Sequence, residues 1–108
     1  MNKFLKIMKA LSDPSRLRIV NMLSVKPMCV CEIRKIIGSS MSTVSNHLKI
    51  LRNANIITSE KEERFINYRL QKNDELVNKL LALVQNISDE QLKQDLQKAN
   101  KVDRVDIC

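Results

Sequence analysis

Apolar residues recur at helical spacing along most of the chain. In residues 3–11, KFLKIMKAL, Phe4, Ile7, Met8 and Leu11 share one side and Lys3, Lys6 and Lys9 the other, which predicts a short amphipathic helix. Ser12-Asp13-Pro14 stops it and starts the next. Ser12 or Asp13 is suited to cap that helix and Pro14 to its first position. Leu17, Val20 and Leu23 line its inner side, and Lys26-Pro27 follows its end. A short helix is predicted over Val30–Ile37, a tight turn at Gly38-Ser39-Ser40, and a longer helix over Met41–Asn53. There Met41, Val44, Leu48 and Leu51 form the inner face, so Ser42, Thr43, Ser45, Asn46 and Lys49 point outward. Asn55 is suited to a left-handed helix end.

The period then changes. IITSEKEE and RFINYRL alternate, which predicts a β-hairpin with its tip near Glu62-Glu63-Arg64. Residues 74–87 return to a helical period with a wide apolar arc: Leu76, Val77, Leu80, Leu81, Leu83, Val84 and Ile87. A helix apolar on more than one side packs against two surfaces, its own domain and, most simply, a second copy of the chain. Ser88 with Gln91 reads as a capping box opening a last helix to about Ala99, with Leu92 and Leu96 inward. The fold class is therefore mainly α with a small β-hairpin, a homodimeric winged helix-turn-helix. Residues 1–99 are expected to form one winged helix-turn-helix domain that also carries the dimer surface, and residues 100–108 a flexible tail.

Charge changes the picture. Residues 1–55 carry ten Lys or Arg against two acids, whereas residues 74–108 carry five against seven. A basic half beside a mildly acidic one points to a polyanion on one face. Aromatics make up only 3% of the 108 residues, and Phe4, Phe65 and Tyr68 cannot build the stacking platform that single strands need. Duplex DNA is the better polyanion. Small polar side chains on the Met41–Asn53 helix suit the major groove. Ser42, Thr43 and Ser45 suit phosphates or base edges, and Asn46 suits a bidentate adenine contact. Lys49 and Arg52 would meet phosphates, and Arg64 at the wing tip a phosphate or the minor groove. His47, the one histidine, reads as a packing residue or a phosphate donor.

Three cysteines is an odd number. No apolar leader and no run of ~18 apolar residues is present, so the chain is expected to be cytoplasmic with reduced thiols. Cys29 and Cys31 flank Val30 at a helix start. Thiolates prefer soft ions. The helix N-terminus with Arg34 and Lys35 is expected to lower their pKa. Residues i and i+2 share a side in extended chain but lie about 200° apart on a helix, so one ion held by both sulfurs must distort that first turn. On chemistry alone, two thiols filling small apolar space fit equally well.

ALSDPSRLRIVNML, MCVCEI, SMSTVSNHLKILRNANII and EERFINYRL, in this order, resemble the ArsR family of metalloregulatory repressors over residues 7 to about 70. The resemblance implies a dimer built on the first and fifth helices and a recognition helix at Met41–Asn53. It puts operator contacts at Ser42, Thr43, Ser45, Asn46 and His47. Arsenic-responsive members carry a Cys-Val-Cys element like MCVCEI, which implies Cys29 and Cys31 as ligands. A further cysteine is common three residues later; here that position is Arg34, which leaves Cys108 as the remaining protein thiol. Asn55 and Glu63 stand where the family often has Gly. The zinc-sensing subgroup uses histidine on the fifth helix, and residues 74–87 have none.

The resulting expectation is a DNA-binding repressor, not an enzyme and with no obligatory cofactor. It leaves its operator when Cys29 and Cys31, with Cys108 as a candidate third sulfur, capture As(III). The alternatives keep the repressor but make it a sensor of Cd(II) or Pb(II), or of thiol oxidation or reactive sulfur.

Overall fold

The computed structural model describes residues 2–103. The elements run α1 (Asn2–Leu11), α2 (Pro14–Leu23), β1 (Met28–Cys29), α3 (Val30–Ile37), α4 (Met41–Asn53), β2 (Ile57–Glu62), β3 (Phe65–Leu70), α5 (Glu75–Gln85) and α6 (Glu90–Lys101). Helix α2 is the axis and packs against each of the other five helices. That explains why Ile19 to Leu23 are buried without a break, whereas Leu17 is only half-buried. Asp13 caps α2 by accepting from the Arg16 N–H at 3.0 Å, with Pro14 in the first turn as expected.

The sheet order is β1-β3-β2, all antiparallel. The hairpin follows the predicted tip, with Glu62 opposite Phe65. Strand β1 was not predicted, because two residues are too few to show alternation. It pairs Met28 with Tyr68 and Cys29 with Asn67, and so ties the chain before α3 to the wing. Asn55 and Glu63 take φ values of 59° and 56°. The left-handed backbone is thus kept at both positions where Gly is absent, at a cost of about 1–2 kcal/mol for a residue with a Cβ, less for Asn.

The core joins Ile7 of α1, Ile19 and Met22 of α2, Ile33 of α3, Leu48 and Leu51 of α4, and Ile56 and Ile57. Met41, expected on the inner face, is 40% exposed, since it lies in the first turn of α4 beyond the core's edge. Helix α6 is capped by Asp89, not Ser88; the Asp89 carboxylate accepts from the Leu92 N–H at 3.2 Å, and the helix continues to Lys101. Lys26 Nζ donates to the Val102 carbonyl at 2.6 Å.

A polar clamp fastens α6 to α2. The fully buried Asp95 carboxylate receives Arg18 Nε at 2.8 Å, Arg18 Nη2 at 3.1 Å and Gln91 Nε2 at 3.0 Å. The carboxylate holds the Arg18 guanidinium pKa above its ordinary value. Beside it, buried Asn21 donates to the Leu92 carbonyl at 3.2 Å.

Candidate DNA interface and cysteine site

Gly38, left-handed at φ 86°, ends α3, and Ser40 starts α4 by accepting from the Thr43 N–H at 3.2 Å. Ser40 also donates to the Thr43 hydroxyl at 2.9 Å and lies 3.2 Å from the Ser42 hydroxyl. Helix α4 buries Val44, Leu48 and Leu51 and exposes Ser42, Thr43, Ser45, Asn46, Lys49 and Arg52. The hydroxyls and the amide therefore stand on one solvent-facing side, above a fully anchored opposite side. Arg52 Nη1 reaches Ser59 of β2 at 3.4 Å, linking helix to wing, and Arg64 sits in the wing turn with its guanidinium 5.5 Å from the Phe65 ring centre.

His47 lies elsewhere. Its side chain is 14% exposed and turned toward α2, where its Nδ1 accepts from Arg16 Nη1 at 3.4 Å and is 4.0 Å from an Asp13 carboxylate oxygen. Arg16 Nε also donates to the Ala10 carbonyl at 2.7 Å. One guanidinium thus joins the end of α1, the start of α2 and the middle of α4. Sequence reasoning missed Arg16: its partners are distant in the chain, and only the Asp13 cap carried a local signal.

Cys29 and Cys31 line the same cleft in different surroundings. Cys29 is the last residue of β1 and the N-cap of α3, with φ −85° and ψ 168°. Its N–H donates to the Glu32 carboxylate at 3.0 Å, and its sulfur faces the Glu32 N–H, a capping box with sulfur in place of oxygen. Sulfur is a weak acceptor, so this cap is weak. Cys29 is only 2% exposed. Burial pushes its thiol pKa up, and the Glu32 carboxylate pushes it further, while the Glu32 and Cys31 N–H groups offset part of this. The expectation of a lowered pKa is corrected here: Arg34 and Lys35 are exposed and do not enter the balance at this sulfur, while a buried carboxylate does. Cys31 is half-buried and disulfide-bonded. Cys108 lies outside the described residues.

A cleft of about 550 Å³ opens between α3, α4 and the wing. Cys29, Cys31, Ser45, Arg64, Phe65 and Tyr68 are among its walls. Among the described residues no group of three or more His, Cys, Asp or Glu is arranged to hold a metal ion. None of their helices is long and apolar enough to cross a membrane.

Fold and site together define a winged helix-turn-helix DNA-binding regulator of transcription. Residues 13–59 match the family described as bacterial regulatory protein, arsR family. The chain is 41% identical over 83 residues to an arsenical resistance operon repressor of Bacillus subtilis, covering 76% of this chain and 77% of that protein. It is 42% identical over 77 residues to a cadmium resistance transcriptional regulatory protein homolog of Staphylococcus aureus, covering 70% of this chain and 62% of that one. Among solved structures it is similar to HlyU from Vibrio cholerae (TM-score 0.73, 26% identity, 81% and 92% of the two chains). It is also similar to a homodimeric winged helix-turn-helix DNA-binding domain from Mycobacterium bovis (TM-score 0.71, 29% identity, 86% and 84%). The chain belongs to the ArsR family; its relatives and fold neighbours are transcriptional regulators, not enzymes.

Proposed function

We propose that two copies of this chain bind a duplex operator as a cytoplasmic repressor and release it when Cys29 and Cys31, as thiolates, capture As(III) or a similar thiophilic ion. Ser42, Thr43, Ser45 and Asn46 read the major groove; Lys49, Arg52 and Arg64 hold phosphates. His47 acts with Arg16 to set the pose of α4 against α2. The domain for both tasks is residues 1–99 extended through the end of α6.

The observation that carries the switch is the double role of Cys29. It ends the strand paired to Asn67 of the wing and starts the helix that leads through Gly38 into α4. An ion bridging its sulfur to that of Cys31 takes the sulfur from the cap. The wing and the helix-turn-helix then lose a shared anchor. Loss of a cap costs about 0.5–2 kcal/mol, and a coupling of about 1–3 kcal/mol lowers operator affinity about 5- to 150-fold.

The dimer reading rests on apolar surface. Phe4, Leu5 and Met8 on α1 are 40–47% exposed, and Leu83 on α5 is 63% exposed. Lys3 and Asp74 form a 2.6 Å ion pair that holds the starts of α1 and α5 together. Burial of such a patch by a second copy is its ordinary fate in a regulator of this class.

Two alternatives have support of their own: a Cd(II) response, from the cadmium-named relative, and thiol oxidation, from the disulfide at Cys31. The test is fluorescence anisotropy of the reduced protein on its own upstream DNA, with arsenite, Cd(II) or a mild oxidant added. Release by arsenite supports the first reading. Release by Cd(II) or oxidant alone replaces the inducer, and no specific binding overturns the repressor.

A further inference from the structure

His47 is the single histidine of the chain, and it sits on α4 with its ring turned toward α2. Its partners fix its proton. A guanidinium has donors and no acceptor, so the 3.4 Å contact from Arg16 Nη1 makes the His47 Nδ1 the acceptor and puts the ring proton on Nε2. The ring is therefore neutral in this structure. The same guanidinium is fastened to the end of α1, through Nε to the Ala10 carbonyl at 2.7 Å and Nη2 to the Lys9 carbonyl at 3.4 Å. Asp13 Oδ2 lies 4.0 Å from Nδ1 and already accepts the Arg16 N–H that starts α2. The residues one turn from His47 on α4, Thr43, Val44, Ile50 and Leu51, carry no charge, and the Lys9 side chain on α1 is exposed. Among the described residues, α3 and β2, which also pack on α4, give the ring no hydrogen bond or ion pair.

Resting on the reading of α4 as the helix that meets the operator, we propose that this junction makes operator binding proton-sensitive: the neutral His47 ring holds α4 in its DNA-reading pose against α2, and a proton on Nδ1 releases it. That proton sets two donors and two cations face to face across 3.4 Å, in a half-buried place where repulsion is less screened than in water. Two relaxations are open. The ring turns to Asp13 and competes with the cap of α2, or Arg16 leaves the carbonyls at the end of α1. Each moves α4 against the corner of α1 and α2. Asn46 adjoins His47, and Ser42, Thr43 and Ser45 lie within the turn and a half before it, so a tilt there moves the whole reading face. The sign is opposite to that of a phosphate contact. A histidine on a phosphate binds DNA better when charged, whereas one that must stay neutral binds it worse in acid. General charge also works the other way, since acid adds positive charge to a chain of formal net charge +7.

The test is fluorescence anisotropy of the full chain on its own upstream DNA at fixed salt, between about pH 8 and pH 5, the range in which imidazole ordinarily changes charge. It is paired with NMR of the imidazole, a single signal because the chain has one histidine. Affinity is expected to fall by about fivefold or more toward acid, and by reciprocity the ring is expected to take up its proton at lower pH in the operator complex than in the free chain. His47→Asn is expected to bind more weakly at neutral pH, with an affinity that no longer falls in acid. Asp13→Asn, whose amide oxygen can still cap α2, is expected to lose affinity at lower pH than the unmodified chain, because the imidazolium then has no anion beside it. Affinity that stays level or rises in acid, a ring that protonates more readily in the complex, or an acid loss that persists in His47→Asn overturns the proposal. Absence of specific binding at every pH overturns the DNA reading itself, and the proposal with it.

Discussion

The two helices of the helix-turn-helix begin in opposite ways. Helix α4 is capped by Ser40, an exposed hydroxyl in a cluster of three, and has buried side chains along its inner length. Helix α3 is eight residues long and capped by Cys29, a buried sulfur that accepts weakly and whose N–H relies on one carboxylate. Under the proposed function, the element that meets DNA is well anchored at its start, and the element that meets the inducer is held by an atom that a soft ion can take. Such a sensor would put its weak point one helix away from its reading head.

The largest break in that contrast is Cys29→Ser. An oxygen keeps the cap but removes the soft ligand, so operator binding is expected to persist while arsenite no longer releases it; anisotropy reads both. Next is Asn46→Ala on the exposed face of α4. Operator affinity is expected to fall by about 1–3 kcal/mol if the amide reads a base, checked by titration at fixed salt. An unchanged affinity removes Asn46 from base reading.

Glu32→Ala leaves the buried Cys29 N–H without its acceptor and is expected to cost about 1–3 kcal/mol in urea denaturation. Ser40→Ala removes the exposed cap of α4 and is expected to cost about 1 kcal/mol by the same measurement, less than Glu32→Ala because water can replace the hydroxyl. Reversal of that order would mean that α3 is not the more vulnerable start.

The smallest effect is one of pH. The Lys3 ammonium, with the Val77 and Leu76 N–H groups, holds the Asp74 carboxyl below its ordinary range. The sign follows from linkage: a depressed folded pKa contributes stability above the unfolded value, and this is lost as pH falls through the folded one. Lys3→Gln is therefore expected to reduce stability slightly at neutral pH, and less in acid. Equal loss at both pH values would assign the effect to packing.

Much of the frame was legible because it is local. Asp13-Pro14, Gly38 and Asn55 punctuate the chain where their own backbone preferences dictate, and each element between them shows its period. The exposed set on α4 followed from the spacing of Val44, Leu48 and Leu51. Long-range partners had no such signal. Arg18 and Asp95 lie 77 residues apart and meet only after α6 packs on α2. Arg16 and His47 are 31 residues apart, and nothing in either neighbourhood announces the other.

The cysteines divide the two kinds of information most clearly. Residue order alone put two thiols at the start of a helix before a recognition helix, because spacing and capping are properties of a few adjacent residues. Only the tertiary structure decided that Cys29 pairs with the wing, that its sulfur and the Glu32 carboxylate are buried, and that the pair opens into a cleft walled by Phe65 and Tyr68. Burial and electrostatic environment are sums over everything nearby in space. The raised pKa of Cys29, opposite to what its sequence neighbours implied, is therefore a property of the fold.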